Sequence, residues 1–202
     1  NLIEEEKFAE AIPLLERSIR LHPRQRGGNS PYGMLSLAFR ELGKAGEELA
    51  VLENWATIED SATKLYERLM EIHVERKAWA EVDRLAKRFF SANPLSPISH
   101  RFMALTAQQT GNTAATVRPL KRLLLLNPPD PVDLHFRLAT ALVDRSPDEA
   151  KRHVLQALED APRFRAAQKL LARLAKPKPE PKPETPPTPE PQPEPEEEAK
   201  GR

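Results

Sequence analysis

Three stretches, AKRFFSANP at 86–94, LKRLLLLNP at 120–128 and VLQALEDAP at 154–162, each end on a proline, and Pro94, Pro128 and Pro162 are evenly spaced. Each stretch is a helical phrase cut off by its proline, and the interval between them, a fixed period of 34, is the length of one helix-turn-helix unit in a stacked solenoid. Working outward from Pro128, the unit beginning at Pro97 has Gly111 17 positions before that proline. Met103 and Ala104 lie in its first helix (helix A), and Leu120, Leu123 and Leu124 in its second (helix B). The following unit has Leu138, Ala139 and Leu142 on helix A, Ala150 and Ala157 on helix B, and an inter-helix turn that counts about one residue short. The preceding unit has Tyr66, Leu69, Met70 and His73 on helix A and Trp79, Val82, Ala86 and Phe89 on helix B, with Lys77 where the turn glycine is expected.

These positions resemble the tetratricopeptide repeat (TPR) family, and the resemblance covers most of residues 1–176. It implies an all-α, right-handed solenoid of stacked helix pairs, with small residues such as Ala104, Ala150 and Ala157 where helices A and B cross closely. Residues 7–23 (KFAEAIPLLERSIRLHP) read as a helix B preceded by only the tail of a helix A. Tyr32, Leu35, Ser36, Phe39, Leu42 and Gly43 give a second helix A. Pro23 and Pro94 stand three positions further apart than two full periods, so an insertion of that size is expected between Gly43 and Asp60, in the unit holding Leu49, Leu52 and Trp55. Repeats then end near 23, 60, 94, 128 and 162. Phe164, Ala167, Leu170, Leu171 and Leu174 recur at helical spacing and predict a capping helix over 163–175.

Capping chemistry points to the same boundaries. Ser30-Pro31, Ser96-Pro97, Asp130-Pro131 and Ser146-Pro147 each place an oxygen-bearing residue before a proline whose missing N–H is harmless in a first turn. Ser146 and Glu149 also have the spacing of a capping box. Asn93-Pro94 and Asn127-Pro128 mark helix ends, because the residue before a proline is pushed out of the α region. Pro13 and Pro119 fall early in helix B, where a slight kink is expected.

At Pro177 the composition changes. Residues 177–202 hold ten prolines and seven glutamates and cannot bury a core, so they are read as a disordered tail with polyproline II bias, either a spacer or a ligand through Pro186-Pro187-Thr188-Pro189. Their Lys-Pro and Glu-Pro dipeptides resemble the spacers of TonB-type periplasmic proteins. The body carries 27 Lys+Arg against 23 Asp+Glu and the tail 4 against 7, neither the basic excess that nucleic acid demands. Arg17, Arg20, Arg24, Arg26, Arg118, Lys121 and Arg122 are the nearest to a basic stripe, and read as solvated faces. No run of 18 apolar residues exists to span a membrane. Zero cysteines exclude disulfides and thiolate metal sites. Asn1 falls inside a repeat, so a piece of a longer protein is expected, and the 18 arginines against 9 lysines of the body hint at a GC-rich bacterial genome. The compartment, cytoplasmic or envelope-associated, stays open.

Nothing in the pattern assembles catalysis, a metal or a cofactor. His22, His73, His100, His135 and His153 form no H-E-x-x-H pair, and His73 reads as a packed residue. Gly27-Gly28 lacks the lysine and preceding strand of a phosphate loop. Glu67, Glu71 and Glu75 recur every four residues beside Lys64 and Arg68, and ion pairing at i,i+4 accounts for them. The TPR resemblance implies a concave groove lined by helix A, where extended or helical segments of other proteins bind. The positions mapped there are Arg40, Glu41, Lys64, Glu67, Glu71, Arg101, Gln108, Gln109, Phe136 and Thr140. This set lacks the repeated Lys, Asn and Arg with which chaperone-binding members hold a C-terminal carboxylate. The expected function is thus a non-catalytic scaffold for a protein or peptide partner. The alternative is an adjunct to a larger enzyme, since residues 93–105 and 150–174 look similar to TPR tails that follow metallopeptidase-like domains.

Overall fold

The computed structural model describes residues 2–25 and 30–175, which form ten helices and no strand. In chain order these are α1 (Phe8–Leu21), α2 (Pro31–Glu41), α3 (Ala45–Ala56), α4 (Thr63–Glu75), α5 (Trp79–Ala92), α6 (Pro97–Gln109), α7 (Thr113–Leu125), α8 (Pro131–Leu142), α9 (Pro147–Asp160) and α10 (Arg165–Leu174). Extensive packing joins each helix to the next along the chain, as in a right-handed α-solenoid whose repeats touch their neighbours. Even-numbered helices α2 to α8 are the helices A of four units and α3 to α9 their helices B. The tail at 177–202 and Gly27-Gly28 lie outside the described residues.

The turn after a helix A repeats one device. At Gly43 the N–H donates to the Arg40 carbonyl at 3.0 Å and that of Lys44 to Phe39 at 2.8 Å. Gly111 and Asn112 do the same to Gln108 and Ala107, and Lys77 and Ala78 to Val74 and His73. These paired bonds satisfy carbonyls orphaned at a helix C-terminus and require left-handed backbone at the first donor. Gly43 and Gly111 adopt φ of 70° and 71° freely, whereas Lys77 is held at 55° despite its Cβ. Glu6 completes the series at φ 57°, with Glu6 and Lys7 donating to Ile3 and Leu2. Residues 2–7 thus carry the same paired bonds as the turns that follow α2, α4 and α6.

Four of the expected helix starts are observed with Pro31, Pro97, Pro131 and Pro147 in the first turn, but the capping is not uniform. Ser30 accepts from the Tyr32 N–H and Asp130 from the Asp133 N–H, while the side chains of Ser96 and Ser146 make no capping bond. The expected capping box at Ser146 does not form, because Glu149 turns away to an ion pair with Lys121 at 2.6 Å. Asn112, absent from the expected caps, starts α7 with its Oδ1 accepting from the Ala115 N–H. Pro13 and Pro119 are both accommodated inside helices.

Two length expectations are corrected. The starts Ala45 and Thr63, Trp79 and Pro97, Thr113 and Pro131, and Pro147 and Arg165 are all equally spaced, so the segment after Ala45 contains no insertion. The surplus lies in the connection between α1 and α2, at 22–30. It is partly offset by α2 and α3, whose starts are two positions nearer together than those of the later pairs. A long connection there is absorbed because it runs between units instead of within a crossing pair. In the fifth unit the turn is not short. The connection at 143–146 is four residues with no left-handed member, and it replaces the three-residue turn of the earlier units.

The core runs as a chain of apolar clusters. The largest joins Tyr32, Leu52, Trp55, Tyr66, Leu69, Val82, Phe89 and Phe102. A second, around Leu120 and Leu138, spans α6 to α9, and a third seals Ala139 and Val154 beneath Ala167 and Leu170 of the capping helix. Ala104, Ala150 and Ala157 are fully buried, as close helix crossings require. Tyr66 stacks on Phe89 at 5.1 Å, and its hydroxyl donates to Asp60, which also binds Arg88. Burial pushes the Tyr66 phenol up to about 12.

Candidate functional site

The mapped residues sit on α2 (Arg40, Glu41), α4 (Lys64, Glu67, Glu71), α6 (Arg101, Gln108, Gln109) and α8 (Phe136, Thr140). Glu67 and Arg101, one repeat length apart, meet through an ion pair of 2.7 Å, with the arginine side chain 54% exposed. Gln108 accepts from Arg137 of α8 at 3.3 Å. Polar side chains thus join α4 to α6 at equivalent positions and the end of α6 to the middle of α8. Arg40 contacts its neighbour Glu41, at 3.6 Å, and forms no ion pair with the α4 or α6 set. Lys64 and Gln109 are exposed and carry no ion pair or side-chain hydrogen bond among the described residues.

Phe136 and Glu71 are only partly exposed, whereas Thr140 is exposed. Phe136 is half-buried, its ring 4.8 Å from Phe164, and it belongs to the cluster under the capping helix. The Thr140 hydroxyl donates to the Phe136 carbonyl at 2.9 Å. Glu71 is half-buried and faces Arg68 at 3.6 Å. The expected i,i+4 pairing of the glutamate series is also replaced. Glu67 pairs across repeats, while Glu71 and Glu75 share Arg68 at 3.6 and 3.9 Å on their own helix. Among the described residues no group of three or more His, Cys, Asp or Glu side chains could hold a metal ion, and no helix is long and apolar enough to cross a membrane.

Solved structures share this architecture. MamA superposes with a TM-score of 0.60 over 85% of this chain and 95% of its own, at 13% identity. The fold is that of a TPR solenoid. YrrB, described as a TPR protein with an unusual peptide-binding site, matches with a TM-score of 0.61 over 83% of this chain and 85% of its own, at 11% identity. A tetratricopeptide repeat protein from Parabacteroides merdae matches with 0.59 over 86% and 68%, at 17% identity. In sequence, no protein-family model and no curated protein matches the chain.

Within the TPR solenoid the most strongly built polar contact is one that the repeat pattern does not announce. Arg68 donates from Nε to Glu48 Oε1 at 2.7 Å and from Nη2 to Oε2 at 2.9 Å. Glu48, on helix B of the second unit, is 2% exposed. Its hydrogen bonds with Glu48 hold the Arg68 guanidinium above its usual value, with Glu75 and Glu71 adding to the effect against the cost of burial. Glu48 shares a helical face with Leu52, so its burial is readable in the sequence, but its partner on the following helix is not. A second pair, His135 on α8 and His153 on α9, brings Nδ1 to within 3.0 Å of Nδ1 with the rings stacked at 5.1 Å. Burial is the main cause that pushes both imidazoles below their ordinary value. The neighbouring His153 acts the same way on His135, while Asp160 opposes it. For His153 the Gln156 hydrogen bond and the Glu149 charge oppose the shift.

Proposed function

We propose that this chain is a non-catalytic interaction scaffold that holds a segment of a partner protein along its helix-A face. The observation that carries the reading is the Glu67–Arg101 pair, which makes corresponding positions of successive helices A neighbours on one surface. A ligand following that surface meets Lys64 and Gln109, both free to bond, and the half-open Arg101 and Glu67. The mixture of signs favours an extended segment with alternating charged and apolar side chains over a uniformly charged one. The fold shared with YrrB, a protein described as having a peptide-binding site, is consistent with this use.

The test is affinity purification with the protein and with its Arg40→Glu/Arg101→Glu variant, both shown to be folded by circular dichroism. The expected result is a stoichiometric partner lost by the variant, and by a single Lys64→Glu exchange to a lesser degree. Recovery of the same partners by all three proteins would sink the helix-A assignment.

A further inference from the structure

A second surface lies among helices α5, α6 and α7, away from the residues used above. There, Phe90, Pro94, Leu95, Met103, Pro119 and Leu125 surround a cavity of about 570 Å³. Leu95 and Leu125 remain 79% and 75% exposed at its mouth, a strong departure for large apolar side chains grouped together. Lys87, Arg118 and Arg122 line the same cavity, and no carboxylate among the described residues does. Lys87 is paired with Asp83 on its own helix, but Arg118 and Arg122 are exposed and have no ion-pair partner among the described residues. The surface continues past Met103 and Pro119 into a depression of about 660 Å³, lined also by Asp83 and by Thr106. Thr106 is 6% exposed and forms part of the floor of this depression. An occupant fitted to this surface has compact apolar groups and several carboxylates.

We propose that the occupant is the chain's own C-terminal segment 189–198, PEPQPEPEEE, bound across α7. Four prolines supply rigid apolar rings suited to an aromatic and proline-lined slot, and glutamates at 190, 194, 196, 197 and 198 supply the charge that Arg118 and Arg122 lack. The geometry permits it. From α10 to α7 there are three helix-packing steps of roughly 8–10 Å, about 30 Å sideways, whereas the stretch from 175 to 189 reaches about 40 Å when extended. Tethering places the segment at an effective concentration on the order of millimolar, so an intrinsic affinity of about 0.1 mM already fills the site roughly tenfold over the open form.

The absence of native cysteine makes the test direct. A nitroxide is attached to Ala199→Cys in the full-length chain, and methyl signals of Met103, Leu95 and Leu125 are compared with those of Leu14 on α1. Docking reduces the first three by more than half and leaves Leu14 unchanged. It is abolished in Arg118→Glu/Arg122→Glu and in a variant with Gln at 194, 196, 197 and 198, which leaves the helices untouched. It also weakens at high salt, about 0.5 M, where screening shortens the reach of charge to about 4 Å. Equal intensities at all four sites would overturn the proposal, as would broadening that survives the Gln variant. Loss of broadening on tenfold dilution would assign the contact to the tail of a second copy and overturn the intramolecular form.

Discussion

A lysine and a glutamate hold backbone conformations that two glycines hold elsewhere in the same molecule. Lys77 and Glu6 occupy the left-handed turn position used by Gly43 and Gly111. A side chain there costs about 1 kcal/mol or more, which is partly recovered because glycine also loosens the unfolded chain. Lys77→Gly is therefore expected to stabilise by about 0.5–1 kcal/mol, seen as a rise of about 1–4 °C in melting temperature, and a fall would refute the turn assignment. At Glu48 the balance runs the other way. Glu48→Ala leaves Arg68 without its bidentate acceptor in a half-buried setting, and the expected loss is about 2–3 kcal/mol by urea unfolding. Glu48 shows why part of the interaction chemistry was hidden in the sequence. A buried acid can be inferred from its helical face, but the cation that neutralises it is chosen by which helix packs opposite.

Between α8 and α9 the His135–His153 contact works only while at least one facing Nδ1 can accept a proton. Both imidazoles titrate below the ordinary value of 6.5 in the folded chain. Each group's contribution is complete above the unfolded value near 6.5 and is lost as pH falls from there through the folded value. His100, also lowered chiefly by burial and further by Arg122 and Arg118, acts in the same direction. Unfolding midpoints measured from pH 7 to pH 5 are expected to fall, and to fall less in His135→Leu. An unchanged slope in that variant would show that the pair does not titrate as the geometry implies. The helix pairs themselves were legible from period, prolines and capping residues. The locations of the extra residues and the four-residue turn at 143–146 were not, because the same proline spacing can be met by moving length between a turn and a connection.

Across the whole molecule, stability is distributed along a line instead of around one centre. Extensive packing is between consecutive helices, and the apolar clusters succeed one another from α2 to α10. Truncating Leu138, fully buried in the second cluster, is expected to cost about 2–5 kcal/mol locally. In native-state hydrogen exchange, Leu138→Ala should accelerate amides of α8 to α10 far more than those of α2 to α4. Uniform acceleration would mean that the array unfolds as a single cooperative block.

The repeat period, the helix ends and the alanines at helix crossings were determined by sequence alone, because they depend on interactions within one turn or one helix pair whose spacing is written along the chain. Tertiary structure decided which charged side chains face water and which face each other. It packed Phe136 against Phe164 at the edge of the capping helix, joined Glu67 to Arg101, and buried Glu48 against Arg68. Those outcomes depend on the rotation and separation of neighbouring helices, and a shift of one helical position would exchange an exposed contact for a buried one.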